Sequence, residues 1–413
     1  MIDREPTIAV GLVENADSVS IRLKGSYQEQ DGRVVPPGVI TSPPAGLILK
    51  PVNPEEDRFL VEATIGIDFH WQQKEELSFS GTLRLVPRPG GKVTVINDVP
   101  LEEYITSVVC SEMRSTSPPD LVKAHAVISR SWLLAQLEPK APQPTERIRE
   151  GEIIRWYDRQ AHTGFDVCAD DHCQRYQGTG RIDSPAVARA VADTRGLVLI
   201  HDGRPCDARF SKCCGGITED FTTAWGDQPV PYLIPVFDGS QKEIPEQPVR
   251  DFITNPPEAY CRCNDEKILE QVLNPYDLET KDFFRWQVTL GSGEAGGLVK
   301  KKLGKDLGRI VKLEPLERGR SGRIKRLRLV GEAGSLVIGK ELEIRRALSE
   351  SHLYSSAFVV DPKGSDFVLT GAGWGHGVGL CQIGAAVMAF AGTRFSEILK
   401  HYYPGTRLER AWD

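Results

Sequence analysis

Every second residue from 371 to 379 is glycine: Gly371, Gly373, Gly375, Gly377 and Gly379 bracket Trp374 and His376. Glycine tolerates positive φ and lets backbone approach a ligand closely, so such a stretch suits the wall of a site better than a core. One aromatic ring and one imidazole project from this thin loop. A helix-like run follows and closes at the turn Tyr403-Pro404-Gly405. The plainer reading is a glycine-rich turn between two elements in which His376 is only hydrogen-bonded.

At 413 residues the chain exceeds what one core usually serves, which implies two or three lobes. A hydrophobic fraction of 40% and a charged fraction of 26% describe an ordinary globular protein. The net charge of −6 argues against nucleic acid held by the overall field, so an anionic substrate would need a local basic patch. No stretch approaches the roughly 18 apolar residues of a membrane span. The opening MIDREPTIAVGLVEN lacks a basic n-region and an apolar h-region, so no signal peptide is expected in this sequence. Nine cysteines are an odd number, leaving at least one free or ligated. The close pairs Cys168/Cys173, Cys213/Cys214 and Cys261/Cys263 suggest local sites rather than a disulfide framework. A bond between the neighbours Cys213 and Cys214 would be strained, and Cys261-Arg-Cys263 is a lone pair that supports no specific claim.

Residues 6–96 alternate in the β manner, in TIAVGLV, SVSIRLKG, RFLVEATIGI, LSFSGTLRLV and GKVTVIN, with Pro and Gly marking the turns. Two helices follow. The first is expected over Leu101–Met113. The second has Ser117 as N-cap, Pro118 at its first position and Asp120 in its first turn, and runs to Leu137. A short helix over 184–196 has Ser184 as cap and Gly196 at its end. Alternation returns between about Phe283 and Arg346. The expected fold class is α+β: a β-rich region 1–96, a mixed catalytic core over 97–240 and 351–413, and a β-rich insertion over 241–350.

Three ordered blocks carry a resemblance. The stretch GAGWGHGVGLCQIGAAVMAF with FSEILKHYYPGT, the segment DVPLEEYITSVVCSEMRSTSPPDLVKAHAVISRSWLLAQL over 98–137, and ARFSKCCGGITEDFTTAWGDQPVPYL over 208–233 closely resemble the SpoIID/LytB family of sporulation and amidase-enhancer proteins. The resemblance implies a peptidoglycan-processing protein acting outside the cytoplasm. In the sporulation branch it implies a lytic transglycosylase that cuts between N-acetylmuramic acid and N-acetylglucosamine without water. Glu112 stands at the family's catalytic glutamate. As a single acid/base it would protonate the leaving oxygen and then accept the proton of the sugar's C6 hydroxyl, closing a 1,6-anhydro ring. Ordinary glycosidases need a second carboxylate to handle water or to form the covalent bond; here the substrate supplies its own nucleophile. Such an acid needs a dry pocket to stay protonated near neutral pH. The alternative for Glu112 is a solvated helix-end residue.

Lys123 and Arg130, seven residues apart, share a helix face with Ala126 and Val127 between them. They match charged positions of the family block and suit the lactyl carboxylate of muramic acid. Cations beside Glu112 would weaken it as an acid, so they belong at the substrate; helix-surface ion pairing is the other possibility. Ser211, Thr218 and Trp225, with Trp374, His376 and Gln382, are further candidates for sugar contact. Cys213 and Cys214 depart from the family's usual His or Ser, which puts a catalytic part for that loop in doubt. Cys110, two residues before Glu112, raises a cysteine-nucleophile reading, but no Cys-His-Asn pattern accompanies it and an inert thiol is favoured.

His162, Cys168, His172 and Cys173 lie within twelve residues and suit a closed, structural tetrahedral Zn²⁺ site. They also resemble the zinc-bearing segment of sporulation members. Asp166, Asp170 and Asp171 are neighbouring alternatives, though thiolates suit zinc better. A Cys168–Cys173 disulfide is the rival in an oxidising compartment. Two further readings stay open: a glycan-binding enhancer of a partner amidase, and a zinc-dependent hydrolase at the Cys/His cluster.

Overall fold

Side chains alternate without a break along Ser20–Lys24, where Ile21 and Leu23 turn inward and their neighbours outward. That period fixes which face of the first sheets is core. The computed structural model describes residues 4–41, 46–67, 72–114, 116–138, 144–157, 162–170, 172–182, 184–273 and 282–412. Asp171 lies outside them. The fold is α+β, as expected, and divides into two compact units: Met1–Leu137 with Ala161–Val198 and Leu408–Asp413, and Glu138–Gln160 with Leu199–Arg407.

The first unit holds two sheets. In the larger one the long strand Thr7–Ala16 pairs antiparallel with Val93–Pro100 on one side and, over two residues, parallel with Val167–Cys168 on the other. In the smaller one Gly38–Thr41, Ser20–Lys24, Arg58–Ile65 and Gln73–Phe79 lie side by side. A chain of rings from Tyr27 through Phe59, Phe79 and Tyr176 to Tyr104 joins sheet to helix, with centroids 6.4, 5.5, 5.6 and 5.1 Å apart.

Helix α1, Leu101–Glu112, buries Leu101, Tyr104, Ile105, Val108 and Val109, the stripe a period of 3.6 requires. Glu112 is its last helical residue; Met113 is extended and caps it. Helix α2, Pro119–Leu137, begins one residue later than the sequence implies. The Pro118 carbonyl already accepts from the Val122 N–H at 3.1 Å, so Pro118 takes the cap position. Helix α3, Pro185–Asp193, starts as expected, with Ser184 Oγ accepting from the Ala186 N–H at 3.3 Å.

In the second unit, five strands order as Glu146–Arg149, Glu152–Arg155, Gly334–Gly339, Ile324–Gly331 and Ile310–Arg318. A second sheet joins Arg285–Leu290, Asp366–Ala372 and Phe358–Lys363. Two helices, Ser292–Leu303 and Glu341–Ala347, stand among the strands expected between 283 and 346. The first hides in the glycine-rich GSGEAGGLVKKKL. Glu294 returns its carboxylate to the Gly291 N–H, three lysines sit in the last turn, and Gly304 closes it in the left-handed region. Trp286, Leu298, Val299, Leu327, Leu329 and Ile344 pack in the shared core.

Candidate functional site

In the first unit Glu112 ends α1 half-buried. Its carboxylate acts on the buried Tyr104 phenol, whose pKa is pushed well up by burial and then by the charges of Cys173, Cys168, Tyr176 and Glu112. The Tyr104 hydroxyl itself bonds Gln174 Oε1 at 3.3 Å.

That cluster is assembled as its spacing suggests. The ligand atoms of His162, Cys168, His172 and Cys173 all lie within 4.8 Å of one another. His162 Nε2 is 3.3 Å from Cys173 Sγ, His172 Nδ1 is 3.4 Å from the same sulfur, and His172 Nδ1 is 3.7 Å from Cys168 Sγ. A tetrahedron with metal–sulfur bonds of about 2.3 Å and metal–nitrogen bonds of about 2.0 Å has edges of roughly 3.3–3.8 Å. The donor set therefore fits Zn²⁺ with all four positions taken by protein. All the cysteines are unbridged, so the disulfide alternative for Cys168 and Cys173 is not realised here. The hydrogen bond from Cys173, with help from His162 and His172, holds the Cys168 thiol far below its ordinary range against the opposing effect of burial. Asp166 turns away: its Oδ2 accepts from the Ala9 N–H at 2.9 Å.

The expected basic anchors are differently placed. Arg130 is fully buried, its Nη2 on Glu102 Oε2 at 2.9 Å and its Nη1 on the Leu197 carbonyl at 3.0 Å. Glu102 Oε1 also accepts from the Gly196 N–H at 3.0 Å. α2 buries nearly its whole circumference, so a cation inside it needs a buried counter-charge and reaches no ligand. This corrects the assignment of Arg130 to substrate. Lys123 pairs with Asp193 of α3 at 2.8 Å and keeps part of its side chain exposed.

In the second unit the glycine loop is fixed from both sides. Cys213 and Trp374 exchange backbone bonds at 3.1 and 2.8 Å, the Glu219 N–H reaches the Gly377 carbonyl at 2.9 Å, and the Gly375 N–H reaches the Tyr354 carbonyl at 2.8 Å. Buried Arg323 donates from Nε and Nη2 to the Gly375 carbonyl, at 3.1 and 2.9 Å, and from Nη1 to the Cys214 carbonyl at 3.0 Å. Ser321 Oγ bridges Arg323 to buried Glu219, at 2.9 and 2.6 Å. Neither Arg323 nor Glu219 carries a local sequence signal. Arg323 sits at the edge of an alternating run that reads as an exposed strand face.

His376 is the hydrogen-bonded residue of the plainer reading. Its Nδ1 accepts from the Val378 N–H at 3.0 Å, and it also bonds the Phe210 backbone. Burial first, then Arg209, Arg323 and Arg345, holds the imidazole well below its ordinary pKa, hence neutral at physiological pH. Trp225 packs on it at 4.7 Å and carries the Arg209 guanidinium 4.3 Å above its ring. Thr218 is fully buried, donating to the Ile234 carbonyl at 3.2 Å and accepting from the Val236 N–H at 2.7 Å, so its hydroxyl serves the fold and not a sugar. Gln382 is buried at the start of the helix Gln382–Phe390. Trp374 keeps an accessible ring, edge-on to Tyr354 at 5.5 Å. Ser211, below Gly375, holds a buried Oγ that has no hydrogen-bond partner among the described residues. The structure thus joins Ser211, Trp225, Trp374 and His376 around one loop, and Glu112 with the Cys/His cluster in the other unit.

Comparison with known proteins adds to this geometry. The profile of the family described as "Stage II sporulation protein" matches residues 89–201, which contain α1, α2 and the Cys/His cluster. A "Domain of unknown function (DUF8618)" matches 219–379. The stage II sporulation protein D of Bacillus subtilis is 25% identical over 76% of each chain, and that of Bacillus amyloliquefaciens 24% over the same shares. A Bacillus subtilis amidase enhancer is 28% identical over 53% of this chain and 32% of its own length. Among the described residues no helix is long and apolar enough to cross a membrane.

Proposed function

Because this chain belongs to the SpoIID/LytB family, we propose that it processes peptidoglycan as a lytic transglycosylase, with Glu112 as the single acid/base. The observation that carries the reading is the position of Glu112: half-buried at the end of α1 and inside the matched segment. Protonated Glu112 would give its proton to the bridging oxygen between N-acetylmuramic acid and N-acetylglucosamine. As carboxylate it would then take the C6 hydroxyl proton while that oxygen closes on C1, leaving a 1,6-anhydro end. No water enters, which suits one carboxylate. Lys123, which keeps part of its side chain exposed beside Asp193, is the group available to the lactyl carboxylate. Trp374, in the second unit, offers a stacking face to a sugar. Zinc at His162, Cys168, His172 and Cys173 would brace the segment behind Tyr104. Such a substrate lies outside the cytoplasm, and so would the protein.

The second reading is a non-catalytic glycan-binding protein that stimulates a cell-wall amidase. The 28% identity with a protein named amidase enhancer favours it. Mass spectrometry of peptide-stripped glycan strands incubated with wild-type protein and with Glu112→Gln separates the two. Anhydro-muramic ends from the wild type alone are expected. Reducing ends would mean hydrolysis, and retained but uncut glycan with both proteins would favour the enhancer.

A further inference from the structure

Cys214, Asp238, Cys261 and Cys381 come from four distant segments, yet their ligand atoms all lie within 4.8 Å of one another and all four residues are buried. We propose that they form a second metal site, a structural Cys₃Asp centre for Zn²⁺ in the second unit.

The geometry matches the ion. Cys214 Sγ and Cys261 Sγ are 3.7 Å apart, close to the roughly 3.8 Å edge of a tetrahedron with metal–sulfur bonds of about 2.3 Å. Cys381 Sγ accepts from the Cys214 N–H at 3.2 Å, and Cys381 caps the helix Gln382–Phe390, whose N-terminal dipole favours a thiolate. Asp238 is oriented as a second shell would orient a ligand: Oδ2 accepts from the Cys261 N–H at 3.0 Å and Oδ1 from the Tyr402 hydroxyl at 2.6 Å. The close approach also explains Gly384, where a Cβ would stand 2.4 Å from Asp238 Oδ1.

Charge supports the assignment. Three thiolates and one carboxylate carry −4, a divalent ion returns +2, and two guanidiniums sit on the cradle itself. Arg323 Nη1 bonds the Cys214 carbonyl and Arg285 Nη1 the Gly215 carbonyl, each at 3.0 Å, so positive charge stands beside the anionic donor set. A thiolate-rich donor set selects zinc over magnesium or calcium. Loading exchanges the thiol S–H bonds for metal–sulfur bonds, the protons passing to solvent, with no change of oxidation state. Cys214 and Cys261 are both free thiols here, and their sulfurs at 3.7 Å stand well beyond the roughly 2.05 Å of a disulfide. The ion would tie the loop around Cys214, whose neighbour Cys213 pairs with Trp374, to the helix that follows the glycine loop.

The test is metal content of purified, zinc-equilibrated protein, read in the wild type and in Cys168→Ser/Cys173→Ser, which disables the first cluster. The wild type should carry two zinc ions per chain and the double variant one. Cobalt substitution of that variant should give tetrahedral bands with the thiolate charge-transfer intensity of three sulfurs. If the variant fails to fold, X-ray absorption at the zinc edge of the wild type reads the same point, because sites with two and three sulfurs average more than two sulfurs per zinc whereas the first cluster alone gives two. A folded double variant without metal, or a wild-type edge with an average of only two sulfurs per zinc, overturns the proposal. So does a count of seven titratable thiols instead of nine in chelated, denatured, unreduced protein.

Discussion

Arg323 fills the space that a side chain at Gly377 would require: a Cβ there would lie 2.4 Å from the guanidinium carbon. Gly377 also holds φ +74°, so the position is closed to other residues twice over. Gly377→Ala should cost about 2–4 kcal/mol from positive φ and overpacking together, read by urea denaturation. A loss below about 0.5 kcal/mol would mean that Arg323 moves aside freely.

Arg130 and Glu102 form a buried ion pair, and Arg130→Met should cost about 3–5 kcal/mol by leaving the glutamate uncompensated. Adding Glu102→Gln should return part of that loss, giving a coupling in a double-mutant cycle. Glycan affinity of the folded double variant should match the wild type. A large rise in KM at unchanged stability would restore Arg130 to the substrate.

Acid should destabilise the second unit through its histidines. Burial, then Arg345, Arg346 and Lys302, pushes His352 down to about 3, and His376 is also held well below its ordinary value. Both are neutral when folded and would take up protons on unfolding once pH falls below about 6.5. Their contribution is complete above that pH and is lost as pH drops towards the folded values, at up to about 1.4 kcal/mol per pH unit for each imidazole. Urea midpoints at pH 7, 6 and 5 should fall less steeply for His352→Gln than for the wild type.

Trp374 is the half-buried ring of the glycine loop. Trp374→Ala should weaken glycan co-sedimentation about fivefold, the loss of roughly 1 kcal/mol of stacking, while Trp374→Phe retains most of it. Equal binding by all three proteins would remove the loop from the substrate surface.

Loss of the first metal site should lower stability before chemistry. His162→Ala should lose one zinc per chain and several degrees of Tm, with residual strand cleavage that still yields anhydro ends. Complete loss of cleavage in a folded variant would favour the metal-hydrolase reading.

The sequence makes the Cys/His cluster legible because its four donors fall within twelve residues and the loop closes locally. Alternation reveals the N-terminal strands, and Ser184 marks the start of α3. The Cys₃Asp group has no such signature: its members lie as far apart as Cys214 and Cys381, and only tertiary folding brings them together. The helix Ser292–Leu303 escapes notice because its glycines mask the Glu-first, Lys-last charge order that supports it. Arg130 and Thr218 show the opposite error. Their polarity suggests a ligand, but α2 is buried almost all round and the Thr218 hydroxyl is bonded to the backbone of Ile234 and Val236, so each polar group is taken up by the protein. Chemistry in a side chain indicates that it needs a partner, and sequence alone does not say which.

The carbonyl of Gly375 accepts two bonds from Arg323 while its N–H is held by Tyr354, so this loop has little slack to lose when something lands on it. Recognition there would follow lock-and-key, with the entropic penalty of association falling on the guest rather than the host. A stiff glycan of several sugars should then gain more per added ring than a floppy linear mimic bearing the same acetamido groups.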